Sequence, residues 1–333
     1  MPVVQNTDFF ANPWHINRHG QTIIPSQFRK IRLPKAYQRQ RIETPDGDFL
    51  DLDWLRHSPQ KPQQQLVIIS HGLEGNTSRQ YVVGMARLFY EQGWDVLAWN
   101  FRSCSGEPNR LPHFYHAGFT KDLSWVIDQV IALAHYQSIA LVGFSMGGNM
   151  TLKYLGEKST QVPAVIQKAV VFSVPCDLVA GAAAISHPNN WIYSYNFLRK
   201  LRKKIKAKAA QLKSLVDVSL IDKIKTLEGF DDAYTAPLHG FANAQDYYTQ
   251  SGALPLIPQI SIPTLMVNAL NDPFLAGGCF PTEVAAKLPH FYLETPAQGG
   301  HCGFSPRKKR GGFYWSEWRA LAFVQASLEL GSS

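Results

Sequence analysis

The segment Gly143-Phe144-Ser145-Met146-Gly147-Gly148 carries the most reactive pattern in this chain. It fits G-x-S-x-G, and its flanks supply the context the pattern needs: Ser138–Phe144 reads as an apolar strand and Met146 to about Leu155 as a helix. A serine on so sharp a turn needs small neighbours, because the backbone folds closely there. The turn lifts the hydroxyl above a sheet and sets the amide of Met146 at a helix N-terminus, aimed at a developing oxyanion. The chemistry this predicts is acyl transfer through a covalent intermediate.

A serine hydroxyl is a poor nucleophile near neutral pH without a base in hydrogen-bond reach. Of eleven histidines, His301 in Gln298-Gly299-Gly300-His301-Cys302-Gly303-Phe304 fits best, just after a predicted strand, where flanking glycines let an exposed loop present the imidazole. His187 and His239 fall in a different region, and His290 reads as the start of a strand. The acid that fixes the imidazole tautomer is expected at Asp272, directly after an apolar strand in Asn268-Ala269-Leu270-Asn271-Asp272-Pro273. Asp177 is the rival, and its position suits a helix cap better. A second oxyanion donor is expected from the loop after an earlier strand: the backbone N–H of Leu73 in His71-Gly72-Leu73-Glu74-Gly75, with His71 fixing the loop.

These residues need a scaffold. Arg41–Thr44 and Phe49–Arg56 read as strands around a Pro45-Asp46-Gly47-Asp48 turn. Leu66–Ser70, Trp94–Trp99, Ser138–Phe144 and Lys168–Val174 are apolar strand candidates, with helices predicted over Arg79–Gln92 and Phe119–Ala134. Such alternation implies a mostly parallel sheet covered on both faces, with its site at the carboxyl ends of the strands. The pattern breaks after Asp177 and resumes with strands at Thr264–Leu270 and Phe291–Glu294, a helix near Thr282–Leu288 and a last helix over about Trp315–Leu330. The expected organisation is therefore an α/β core over 1–177, opening with an irregular arm to about Pro34, a mostly helical cap over 178–257, and the rest of the core over 258–333. The loop Asn100–Glu107 is expected to hold structure together.

Composition narrows the class. Apolar residues are 45% of the 333 and charged residues 17%, enough for a large core and unlike a disordered chain. The longest apolar stretch, Ala169–Ile185, is interrupted by Pro175, Cys176 and Asp177, and no signal-peptide pattern opens the chain, so a cytoplasmic protein is expected. The four cysteines show no CxxC spacing, which suggests neither a zinc site nor a disulfide framework. No metal or organic cofactor is called for. The net charge of +8 favours anionic partners, yet no nucleic-acid motif accompanies it. Many cations fall in Leu198–Lys208, where Leu198, Leu201, Ile205, Ala209, Leu212 and Val216 mark one apolar stripe. The remainder reads as a solvated face or, on a sharper reading of Arg199–Lys208, as a weak peripheral contact with an anionic membrane.

Taken together the motifs resemble the YheT-like α/β-hydrolases, a family assigned as esterases, with eukaryotic relatives that act on phospholipids or medium-chain acyl groups. The resemblance spans nearly the whole chain: Asn17-Arg18-His19-Gly20-Gln21-Thr22, Thr44–Phe49, His71–Gly75, Asn100–Leu111 with Phe114-Tyr115-His116, Gly143–Asn149, Asn271-Asp272-Pro273 and Gly300-His301. It implies the α/β-hydrolase fold and carries the family's triad onto Ser145, Asp272 and His301. Arg18 stands where the family usually has Pro and Ser103 where it usually has Gly, both outside the triad. Eukaryotic members usually begin with a membrane anchor, so the likeness is to the soluble bacterial type. The expected activity is hydrolysis of carboxylic esters with short, medium or lipid acyl chains. Transfer of the acyl group to an alcohol is the alternative within that chemistry, and non-catalytic lipid binding the alternative outside it.

Overall fold

The computed structural model describes residues 3–4, 7–58 and 63–327. A two-residue edge strand β1 (Val3–Val4) and a helix α1 (Arg18–Phe28) occupy the segment expected to be irregular. The helix escapes a hydropathy reading because the face it buries is Gln21, Thr22 and Pro25. Asn17 starts it, accepting the N–H groups of His19 and Gly20. Pro25 lies inside it, where its missing N–H leaves the carbonyl of Gln21 without its usual partner.

β2 (Gln38–Glu43) and β3 (Phe49–Leu55) then form an antiparallel hairpin, Gln38 opposite Trp54 and Glu43 opposite Phe49. Alternation follows: β4 (Gln65–Ser70), α2 (Gln80–Glu91), β5 (Asp95–Asn100), α3 (Thr120–Ile131), β6 (Ser138–Phe144), α4 (Met146–Lys158) and β7 (Ile166–Phe172). No strand lies among the described residues between β7 and residue 264. Helices fill the interval: α5 (Leu178–Ser186), α6 (Trp191–Ala207), α7 (Ala209–Leu212), α8 (Leu227–Phe230), α9 (Ala236–His239) and α10 (Ala244–Ser251), with a π-helical turn, Asp231–Thr235, joining α8 to α9. The chain returns to the sheet with β8 (Thr264–Val267), α11 (Thr282–Ala286) and β9 (Phe291–Glu294), and closes on α12 (Trp315–Gln325). The part of the expected last helix beyond residue 327 lies outside the described residues.

The sheet runs β1-β9-β8-β7-β6-β4-β5-β3-β2, parallel throughout except for the two pairs that β3 makes. It is the expected mostly parallel sheet with helices on both faces. The period of two sorts its side chains between two cores. Ile68, Leu97, Leu141 and Val171 face one. Val67, Val96, Val142 and Val170 face the other, against α2 and α12. Each such fully buried aliphatic side chain contributes about 1.5–3 kcal/mol. No described helix is long and apolar enough to cross a membrane.

The helical segment has a small core of its own, where Leu198, Ile205 and Leu212 of the apolar stripe meet Leu227, Phe230 and Tyr234. Its basic residues divide. Arg199, Lys203 and Lys206 are exposed, as a solvated face requires. Lys200, Lys204 and Lys208, spaced four apart, instead turn towards the sheet domain. Lys204 pairs with Glu74 at 2.6 Å, and Lys208 donates to Asn109 Oδ1 at 2.9 Å and to the carbonyl of Leu111. Long aliphatic stems let them do so. Burial pushes the Lys208 ammonium down to about 8.

The loop after β5 is structural, as expected. Arg102 is buried and meets Asp122 at 2.7 Å and Asp46 at 2.8 Å, while Asn100 donates to Asp53 at 3.0 Å. Ser103 adopts φ 60°, a conformation suited to the glycine the resemblance implies there, and its hydroxyl bonds Asn109.

Candidate active site

Ser145 follows β6 on a turn with φ 53° and ψ −121°, outside the regions a non-glycine residue ordinarily occupies. Its neighbours make this possible. A Cβ on Gly147 would stand 2.3 Å from the carbonyl oxygen of His71, and one on Gly143 would stand 2.6 Å from the Cα of Gly148. Both positions need glycine because backbone closes on backbone there.

Loops after β8 and β9 bring the other two residues to it. Ser145 Oγ donates to His301 Nε2 at 2.9 Å, and His301 Nδ1–H meets the Asp272 carboxylate at 2.9 and 3.1 Å. These contacts require the Nδ1–H tautomer in the neutral ring. Asp272 is buried and also accepts the N–H of Phe274, whose ring lies 4.2 Å from the imidazole. Burial opposes charge on the His301 ring, but the Asp272 carboxylate, with Cys302 beside it, more than offsets this and holds the ring above its ordinary value of 6.5. Asp177, the rival acid, caps α5 by accepting the N–H of Ala180.

The expected oxyanion donors face the same place. Leu73, Met146 and Ser145 line one cavity, and among the described residues neither the Leu73 nor the Met146 N–H meets an acceptor. A Cβ on Gly72 would come within 3.1 Å of that of Ser145, so the loop after β4 lies directly against the nucleophile turn. His71 fixes that loop. Burial pushes its ring down to about 3, and it bonds the carbonyl of Gly72 at 2.8 Å while accepting the N–H of Phe101 at 3.2 Å.

The sequence reading missed what holds the base. His301 is not on an exposed loop: Gly299 and Gly300 are buried against α1, where a Cβ on Gly300 would meet Thr22 Oγ1 at 2.8 Å. Four successive amides donate to four different side chains. Gly299 N–H bonds Gln21 Oε1, Gly300 N–H bonds Asn271 Oδ1, His301 N–H bonds Thr22 Oγ1 and Cys302 N–H bonds Ser173 Oγ, all at 2.8–3.0 Å. Asn271 Nδ2 also donates to Gln21, so one side chain of α1 joins the acid loop to the base loop. Only the presence of Gln21-Thr22 in a recognisable motif hinted at this. Asn149 on α4 does similar work, bonding the carbonyls of Ala117 and Ser251 and the N–H of Ala253.

Two cavities meet at Ser145. One, about 160 Å³, lies under the helical segment and is walled by apolar side chains such as Leu178, Ile185, Leu201 and Phe230. His116 and His239, with rings 4.5 Å apart, sit in its wall, and burial pushes both down, His239 to about 3. The other, about 490 Å³, runs between α1, α2 and α6 and is more polar. Among the described residues no group of three or more His, Cys, Asp or Glu is placed to hold a metal ion. The arrangement can raise a serine nucleophile, take its proton and receive an oxyanion.

Comparison with known proteins gives the same fold. A family profile described as alpha/beta hydrolase fold matches residues 65–307. The chain is 33% identical over 318 residues to "Putative esterase YheT" of Escherichia coli (strain K12), covering 95% of this chain and 92% of that one. It is 29% identical over 309 residues to "Phospholipase ABHD3" of Mus musculus, covering 91% and 74%. Among solved structures, the Pyrococcus furiosus esterase Pf2001 aligns with a TM-score of 0.54 at 17% identity, over 86% of this chain and 90% of that one.

Proposed function

The chain belongs to the α/β-hydrolase family, in its YheT-like group, and on that premise we propose that it hydrolyses carboxylic esters through an acyl-enzyme on Ser145. His301 takes the serine proton as Oγ attacks the ester carbonyl. The amides of Leu73 and Met146 receive the oxyanion. His301 returns the proton to the leaving alkoxide, then activates the water that releases the acid. Asp272 holds the ring in the tautomer this needs and stabilises the imidazolium. The helical segment 178–257 acts as a cap, and the apolar cavity beneath it takes the acyl chain. A relative named a phospholipase and another named an esterase fit an ester or lipid substrate. Any weak attraction of α6 to an anionic membrane would rest on Arg199, Lys203 and Lys206, since its other lysines turn inward.

The observation that carries this reading is the unbroken chain of contacts from Ser145 Oγ through His301 to Asp272, all within 3.1 Å. A fluorophosphonate probe should label Ser145, and p-nitrophenyl butyrate should be turned over. Ser145→Ala should abolish labelling and cut turnover by about 10⁴-fold or more while thermal melting stays cooperative. Undiminished turnover in that variant would reject the assignment.

A further inference from the structure

The two cavities that share Ser145 differ in charge. Ser145, Leu73, Phe197, Phe274 and His301 line both. The larger one runs past Arg79, at the start of α2, and Lys200, on α6. Each donates to the same backbone carbonyl, that of Glu74, at 3.2 Å. Among the described residues neither meets a carboxylate at ion-pair distance. The Glu74 carboxylate is already engaged, by Lys204 at 2.6 Å and by the Tyr115 hydroxyl at 2.7 Å. Arg29, in the same wall, is matched by Glu317 through two hydrogen bonds. The one carboxylate nearby is thus taken by Lys204, and Arg79, Lys200 and the more exposed Arg199 line the cavity with no ion-pair partner among the described residues. Burial, and next the repulsion from Arg79, push the Lys200 ammonium below its usual value, as befits a cation short of an anion.

We propose that Arg79 and Lys200 form a subsite for an anionic group on the leaving alcohol, a phosphate or a carboxylate. This rests on the esterase reading above. The preferred substrate is then an ester whose apolar acyl chain enters the cavity under the cap while its charged alcohol lies along α2 and α6. In the acylation step the bond between carbonyl carbon and ester oxygen breaks, the Ser145 ester forms, and the alcohol leaves with the serine proton. Water then replaces it and regenerates the hydroxyl. An anion between two partly desolvated cations gains charge-assisted hydrogen bonds, of a strength that changes kcat/KM by about tenfold or more.

The competing role for these cations is to hold the oxyanion loop, since Glu74 sits at φ 52° next to Leu73. The test separates the two. Three butyryl esters are compared: methyl 4-butyryloxybenzoate, which is neutral, 4-butyryloxybenzoate and 4-butyryloxyphenyl phosphate. The subsite predicts that one or both anionic esters exceed the neutral one in kcat/KM by about tenfold or more in low salt. It also predicts that the advantage shrinks as NaCl is added, and that the double variant Arg79→Gln, Lys200→Gln brings the ratio near one. The two anionic arms show which group the site takes. No anionic advantage in the native protein overturns the proposal, as does an equal loss for all three esters in the double variant. Calorimetric titration with phenyl phosphate and with benzoate reads the subsite without turnover. Binding of either that is lost in the double variant sustains the subsite even if no ester is hydrolysed. Absence of binding of both, alongside measurable hydrolysis, removes the subsite and leaves the esterase.

Discussion

His301 is held between a carboxylate and a hydroxyl, and on the proposed mechanism its protonation sets when the site can work. It must be neutral to take the proton of Ser145, and the Asp272 carboxylate raises its affinity for protons above the ordinary 6.5. Activity is therefore lost as pH falls through that raised value, and the acidic limb of kcat/KM against pH should lie above 6.5. In Asp272→Asn the limb should move down and kcat should fall by about 10⁴-fold, because the amide neither stabilises the imidazolium nor enforces the tautomer. A pH–rate profile of both proteins checks this. Ser145 and its two partners could be found in the sequence because G-x-S-x-G demands a strand before it and a helix after it, and because the two other residues follow apolar strands in a known order. Gln21 and Thr22 could not. They act on backbone N–H groups, Gln21 on one 278 positions away, and contacts of that kind impose no periodicity on either segment.

At the scale of elements, α1 is the unexpected component. Thr22→Val removes the acceptor of the His301 N–H, and a buried donor left without a partner costs about 1–3 kcal/mol. The loop should then relax, with kcat falling about tenfold and KM little changed. Gln21→Leu strips acceptors from both Gly299 and Asn271 and should cost more in both kcat and melting temperature. Stopped assays over a range of ester concentrations, beside melting curves, measure the two effects. The strands are easier to read: β6 and β9 occupy the predicted Ser138–Phe144 and Phe291–Glu294, since buried parallel strands are written as largely hydrophobic segments. The apolar stripe of α6 was equally visible. The inward turn of its Lys200 and Lys204, and of Lys208 just after it, was not, because the groups they reach come from distant loops and a lysine stem serves either side of a helix.

Across the whole molecule, the proposed acyl cavity is one that no single segment encodes, walled by the loops of the sheet and by the helices after β7. Each methylene buried there is worth about 0.8 kcal/mol, about fourfold in kcat/KM, so activity should climb steeply with acyl length until the cavity is full. Ala182→Trp narrows it and should depress octanoyl esters at least tenfold more than acetyl esters, as a chain-length panel would show. The same dispersal has a temporal side. The helix that grips the base loop leaves the ribosome first, and the loop it grips is made 278 residues later. At about 5–20 residues per second that is a delay of roughly 14–56 s. Over the last 156 residues of that interval the growing chain holds Ser145 without His301, so on the proposed mechanism each copy is inert until the base loop has been made and docked on the helix that was made long before it.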